Sequence, residues 1–342
     1  MKSFLTAILK WGLVLLIFVF LIYRAVGSGS LNQFLDADKN WRFLSLGFIA
    51  CLAGILITFI RWKWLNNALG VPQTTRDAIR LGFIGYVFNF LPVGIVGGDL
   101  VKGVLLARKN QNAKAACAVS VIMDRVIGLY VMFLIGLAAL LLTGFYQNDH
   151  REAVIASRVM IWLSGISTAG FVFLLAPGSK IDWRRRTLKA VPFAGTFLTH
   201  LYDACVLYRG KMGVLTVSTL ATVGVHTFFA VGLWLIALGL WGRAPSPADH
   251  LVIYPIANIG SMIPLSAGPM EFFLDQLYPL FPCTAGEPFL LGYGMVVGIA
   301  YRLITLLIAA IGGIYFFSSR SEIKKAISKP EEDSESEKRG EV

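Results

Sequence analysis

From Gly213 to Leu240 the chain runs without a single Asp, Glu, Lys or Arg. A helix needs roughly 20 apolar residues to cross about 30 Å of hydrocarbon, so a run of this length belongs in a bilayer. Five further stretches read the same way, giving six expected spans at about 11–27, 43–60, 117–143, 159–176, 213–240 and 289–316. Composition agrees: 56% of the 342 residues are hydrophobic and only 15% are charged, against about a quarter charged in a soluble domain. The expected fold class is an all-α polytopic membrane protein, with one transmembrane domain over 1–320. The tail, 321–342, reads "KPEEDSESEKRGEV" at its polar end and is expected to be disordered and cytoplasmic.

The net charge of +11 would suggest nucleic acid in a soluble protein. Here the excess falls in short loops and follows the positive-inside rule, so no nucleic-acid partner is expected. With the N-terminus in the cytoplasm, inside segments carry 23 of the 31 Lys and Arg, outside segments carry six, and Arg125 and Arg302 fall within spans. Both termini are therefore expected inside. Lys2 and Lys10 before the apolar run Trp11–Tyr23, with Ala25-Val26-Gly27 after it, also resemble a secretory signal. An uncleaved first span is the other reading, and both place Ser28 outside. The four cysteines are scattered without metal or disulfide spacing. They read as small apolar residues, and no metal or cofactor is expected.

Two apolar segments, 81–98 and 251–286, are cut by proline and glycine. Cations flank the first on both sides (Arg76 and Arg80, then Lys102, Arg108 and Lys109), so it should enter from the cytoplasm and return. The second contains no Lys or Arg and should enter from the opposite face. Non-helical backbone at membrane depth is tolerated only where protein or water covers it, so both re-entrant segments should line an interior cavity. The loop 177–212 holds Phe193, Phe197, Leu201, Ala204, Cys205 and Tyr208 at helical spacing. It reads either as an interfacial amphipathic helix or as a plain connecting helix.

The two segments share an order of landmarks. The first has Asn89, Pro92, Gly94, Gly97, Gly98 and Asp99, then a span bearing Arg125; the second has Asn258, Pro264, Gly268 and Glu271, then a span bearing Arg302. With opposite expected orientations, the halves 43–143 and 213–316 form an expected inverted repeat. In transporters such repeats give alternating access around a midplane site.

An arginine inside a span costs about 2.5 kcal/mol or more unless paired or hydrated. Arg125, with Asp124 beside it, reads as snorkelling to the headgroups, as a partner of Asp99 or Glu271, or as a ligand for lipid phosphate; Arg302 offers the last two readings more strongly. A guanidinium fork suits phosphate oxygens. Asp99 follows Gly97-Gly98 and opens an expected helix from Leu100 to Arg108, where it reads either as an N-cap or as a site residue, with Lys102 one turn on as a further phosphate ligand. Glu271 invites the same two readings, and as site residues Asp99, Asp124 and Glu271 would orient the arginines or carry coupling charge. His226 reads as a packing hydrogen-bond partner or a proton relay, and Trp62 and Trp64 as packing and interface aromatics. The Gly94/Gly98 spacing fits a small-residue helix contact. No Walker loop, zinc-protease motif or nucleophile elbow occurs, so no catalytic residue is expected and the chain is not read as an enzyme.

"LPVGIVGGDLVKGVLLARKN…MDRVIGL" and "IPLSAGPMEFF…YRLITLL" resemble the two motif regions of the lysylphosphatidylglycerol synthase transmembrane family, also called the flippase-like domain family. The resemblance covers about residues 40 to 320 and implies a lipid-translocating or lipid-binding domain. In two-part members such a domain moves aminoacylated phosphatidylglycerol between leaflets, and a separate soluble domain performs the aminoacyl transfer. Only a short acidic tail follows residue 320, so synthase activity is not expected. Gly268-Pro269-Met270-Glu271 departs from the extra glycine that members often show before the glutamate, which bears on substrate more than on fold. The resulting expectation is a transporter of an anionic phospholipid or lipid-linked precursor in a bacterial or archaeal plasma membrane. The partners expected are that lipid and a separate lipid-modifying or glycan-pathway enzyme. The rival readings are a lipid-binding subunit without transport and a membrane enzyme acting on a lipid-linked phosphate.

Overall fold

Glycine, proline and capping side chains divide the chain into thirteen α-helices among the described residues. The computed structural model describes residues 2–90, 95–176, 183–192, 195–263, 265, 267–282 and 289–318. In order the helices are α1 (Lys2–Gly27), α2 (Ser30–Asp36), α3 (Trp41–Ala68), α4 (Thr75–Phe88), α5 (Ile95–Lys109), α6 (Lys114–Thr143), α7 (Arg151–Leu175), α8 (Trp183–Lys189), α9 (Gly195–Tyr208), α10 (Met212–Trp241), α11 (Pro247–Ile259), α12 (Pro269–Leu277) and α13 (Tyr293–Ser318). No strand occurs among the described residues. Five helices or helix runs are long and apolar enough to cross a membrane, and six if α1 and α2, bent by 78° where they meet, count as one span. All six expected spans are present as helices, and the protein is an all-α multi-pass membrane protein. The expected tail and the prolines Pro92 and Pro264, together with Gly94 and Phe193, lie outside the described residues.

Local chemistry explains the breaks. Asn40 caps α3 by accepting from the Arg42 and Phe43 N–H groups at 3.1 and 3.4 Å. Ser246 and Asp249 form a reciprocal capping box on α11, with Pro247 at its first position. Gly144 and Gly242 end α6 and α10 with φ of 71° and 67°, a conformation that costs an L side chain energy but glycine almost none.

The broken segments become pairs of short helices. α4 and α5 have 14 and 15 residues, α11 and α12 have 13 and 9. At 1.5 Å per residue the longest is about 22 Å, short of a crossing. The pair α4–α5 closes so tightly that a Cβ on Gly98 would lie 2.1 Å from the Gly85 carbonyl oxygen. Gly98 thus makes a close helix contact, against Gly85 of α4, while Gly94, the other residue of the expected spacing, lies outside the described residues.

α3 and α10 run antiparallel along a small-residue seam. Gly47 lies against Gly232 and Ile236, Gly54 against Val225 and Phe229, and Gly239 against Leu44. Lipid tails are as apolar as leucine, so close backbone approach supplies much of the packing energy here. Around this seam each short helix pair touches the other half of the chain: α4 packs on α13, and α11 packs on α6. The second member of each pair packs on the long helix that follows it, α5 on α6 and α12 on α13. α9 packs on α6 and α7, burying Tyr202, Ala204, Cys205 and Tyr208 and leaving Phe197 and Leu207 exposed. The Tyr208 hydroxyl donates to the Leu65 carbonyl at 2.9 Å, so α9 is docked onto the bundle as well as amphipathic.

Candidate functional site

Because α5 follows its tight approach to α4, its fifth residue, Asp99, points at α6. The helix begins at Ile95, four residues before Asp99, so the expected helix start at Leu100 and the N-cap role of Asp99 are both corrected. The carboxylate is buried. Arg125 Nε donates to its Oδ2, and Lys102 Nζ lies 2.9 Å from its Oδ1. Lys102 also reaches Asp124 Oδ2 at 3.4 Å and sits 4.8 Å from the centre of the Trp62 ring. Trp62 is fully buried and its indole N–H donates to Ser120 at 3.2 Å; it is an interior residue, not an interface anchor.

Asp124 and Arg125 are neighbours in sequence but turn away from each other by about 100° of helix. Asp124 faces α3, where Arg61 donates to it from Nε at 2.9 Å and approaches from Nη2 at 2.8 Å. Arg61 further donates to the Asp124 carbonyl at 3.1 Å and to Thr222 Oγ1 at 2.7 Å. Arg61 was expected among the cytoplasmic loop cations; it is buried inside α3. The apolar helical spacing of Phe59, Trp62 and Leu65 carries that helix past residue 60 and was the signal for it. Lys102 is likewise buried between two carboxylates, so its expected place as an open phosphate ligand is corrected. Without these two, the segments expected inside still hold 21 Lys and Arg against six in those expected outside.

The second half repeats the acid–arginine pairing with less support. Arg302 Nε donates to Glu271 Oε1, and its Nη2 donates to Oε2 at 3.2 Å. Glu271 also accepts the Gly268 N–H at 2.8 Å, so it both caps α12 and holds the arginine. Gly268 has φ of 105°, which orients that N–H and favours glycine. Each of the two expected span arginines is thus paired with the acid of its own half.

Two adjoining cavities surround these groups. One of about 290 Å³ is lined by Arg61, Lys102, Asp99, Asp124, Arg125 and His226 among others. The other, about 210 Å³, is lined by Arg302, Met270, Ser261 and Thr305. Tyr86, Asn89, Arg125, Asn258 and Tyr301 border both. Asn89 follows the last residue of α4 and Asn258 is the penultimate residue of α11, so the matched asparagines stand at the partition. Asn258 Nδ2 lies 3.1 Å from Met132 Sδ. Gly97 is buried in α5 beside Gly98. His226 Nε2 sits 2.9 Å from the Gly128 carbonyl, so that nitrogen donates and the ring joins α10 to α6, as the packing reading expected. Of the four tyrosines and asparagines at the partition, Asn89 and Asn258 were marked in the sequence by the matched order of landmarks, whereas Tyr86 and Tyr301 looked like ordinary aromatics of apolar helices.

The charge balance of the site is simple. Arg61, Lys102, Arg125 and Arg302 face Asp99, Asp124 and Glu271, leaving one cation in excess. Of the four, Arg125 and Arg302 have the most accessible side chains, 44% and 28% exposed, against 5% for Arg61 and 9% for Lys102. Paired charges inside a helical bundle, with cavities beside them, define a class: a polytopic helical membrane protein with an intramembrane ionic site. Within that class the chain belongs to the lysylphosphatidylglycerol synthase TM region family, which it matches over residues 7–324. No curated protein and no solved structure matches it.

Proposed function

We propose that the protein moves an anionic phospholipid or lipid-linked precursor between leaflets, with the phosphate held by Arg125 and Arg302. The observation that carries this is the single excess cation of the buried site. A phosphodiester brings one negative charge and balances the net charge of the cluster, and a net charge held among apolar helices is costly. The two most accessible guanidinium groups, Arg125 and Arg302, supply forked donors for its oxygens. Membership of a family named for a lipid-modifying enzyme's membrane region supports a lipid as the ligand. In this reading the chain is a carrier, not a catalyst.

Alternating access follows from reading the halves α3–α6 and α10–α13 as an inverted repeat. Exchanging the halves converts α4 on α13 into α11 on α6, and α5 on α6 into α12 on α13, contacts that all occur. The equivalent helices α3 and α10 are antiparallel, as a two-fold axis in the membrane plane requires. With both termini cytoplasmic in a bacterial or archaeal plasma membrane, the α4–α5 pair faces inside and α11–α12 outside. A separate lipid-modifying or glycan-pathway enzyme then supplies or consumes the lipid.

Proteoliposomes carrying fluorescent anionic phospholipids test this. Wild type is expected to speed leaflet exchange at least about tenfold over empty vesicles, and Arg302→Ala to abolish the gain. Equal rates for wild type and Arg302→Ala across several anionic lipids would sink the proposal. Stable lipid binding with no exchange would favour a lipid-binding subunit instead.

A further inference from the structure

Only nine residues long, α12 carries two buried acids one turn apart, Glu271 and Asp275. Glu271 belongs to the site above. Asp275 is fully buried and has no counterpart in the first half, where Gly103 stands one turn after Asp99. Its Oδ1 accepts the Gly292 N–H at 2.5 Å, at the start of α13. Among the described residues its Oδ2 has no hydrogen-bond partner, and the cation paired with it is Arg24 on α1, with Nη1 at 3.8 Å. Arg24 is 21% exposed, so the cation beside this buried carboxylate is partly accessible from outside the bundle.

The neighbourhood holds few other charges. α13 offers no charged side chain before Arg302, which Glu271 engages. On α11, Asp249 is turned to the Ser246 N–H, and His250 lies between the Ser246 carbonyl and the Tyr278 hydroxyl. Arg151, Glu152 and Arg158 of α7 are exposed. Among the described residues, Arg24 is the ion-pair partner of Asp275. α1 is itself loosely embedded, with Leu15, Leu16, Val19 and Tyr23 exposed, and its main contacts are α2 and α12. Besides Arg24 it touches the start of α12 through Ile17 against Gly268, and Ser28, just past its end, donates to the Leu291 carbonyl ahead of α13 at 2.6 Å.

We propose that Asp275 is a proton-binding latch, whose protonation releases α12 from α1 and makes opening of the second cavity depend on pH at the Arg24 face. This rests on the transport reading. The proton adds to Oδ2, the oxygen without a hydrogen bond. The neutral acid no longer attracts Arg24, and it accepts the Gly292 N–H more weakly. The first turn of α12, Pro269 and Met270, lines the second cavity beside Arg302, so movement of this helix changes access to the guanidinium. The first helix pair has no such acid, and the asymmetry gives one face of the carrier a response to protons that the other lacks.

The test combines two readouts between about pH 5 and pH 8 on the full chain in proteoliposomes. Leaflet exchange of an anionic phospholipid is measured beside hydrogen exchange of the α12 amides, corrected for intrinsic rates. Wild type is expected to exchange lipid at least about fivefold faster at the acid end, with α12 losing protection there. Asp275→Asn keeps an oxygen acceptor for Gly292 but no charge, and is expected to be fast and flat in both readouts. Arg24→Gln removes the nearby cation and is expected to move the midpoint to higher pH. Wild-type pH profiles in Asp275→Asn, or an unmoved midpoint in Arg24→Gln should the first variant not fold, overturn the latch. PH-dependent α12 protection without lipid exchange leaves the latch standing and overturns transport.

Discussion

Asp99 shares its carboxylate between Arg125 and Lys102, whereas Glu271 has one arginine and one backbone N–H. The first pair belongs to a chain of five charges that runs through Asp124 to Arg61; the second, among the ion pairs of the described residues, joins a single acid to a single arginine. Networked ions compensate for one another when a member is lost, while an isolated buried pair does not. The first half therefore reads as the rigid side of the site and the second as the side whose pairing is easier to open. The lone acid Asp275 and its exposed partner Arg24 fall on that same second side.

The largest test of this contrast is removal of each arginine. Arg302→Ala leaves Glu271, 1% exposed, without a cation and is expected to cost about 3–5 kcal/mol in detergent unfolding. Arg125→Ala leaves Asp99 with Lys102 and is expected to cost about half as much. Equal losses would erase the distinction between the halves. Restoration of most of the Arg302→Ala loss by adding Glu271→Gln would sharpen it, since a neutral amide needs no cation.

A smaller effect is expected at the helix crossings. Gly98→Ala would place a Cβ 2.1 Å from the Gly85 oxygen, and Gly312→Ala would place one 2.1 Å from the Phe83 oxygen. Each is expected to destabilise by about 1–3 kcal/mol through overpacking, read as a lower thermal midpoint. Gly98→Ala falls inside the first helix pair and is also expected to disturb lipid exchange; Gly312→Ala lies on the α4–α13 contact between halves.

The smallest effect concerns the open end of the first pair, where Lys109 donates to Asp77 at 2.8 Å. That hydrogen bond holds the Asp77 carboxyl below the usual carboxylate range. A depressed folded-state value contributes stability that is fully present above the unfolded value, near 3.9, and is lost as pH falls through the folded one. Both partners are substantially exposed, so Lys109→Met is expected to cost under about 0.5 kcal/mol at neutral pH and nothing below about pH 2. A larger loss would mean the pair fixes the hairpin mouth.

The spans were legible because hydropathy alone decides where a helix lies in lipid. The acid–arginine pairs were legible only as one option among several, since an arginine in a span demands a partner and Asp99 and Glu271 were the acids offered by the broken segments, but the sequence does not say which arginine meets which acid. Arg61 was missed because it stands at the apparent end of an apolar run, and the apolar spacing of Phe59, Trp62 and Leu65 that carries the helix past it is a weak signal beside two charges. Lys102 looked open because the sequence does not show that Asp124 turns away from Arg125 to meet it. Asp275 was passed over because its partner, Arg24, lies about 250 residues away in the chain, and nothing local marks the contact.

The central claim is that one excess cation draws one phosphodiester. Asn89→Asp adds a negative charge at the border of both cavities without removing any ion pair described here, and brings the site to neutrality. Mass spectrometry of lipids retained by the purified protein compares this variant with wild type. Wild type should retain monoanionic phospholipid well above its share in the membrane, and Asn89→Asp should lose that enrichment; equal enrichment in both would contradict the account.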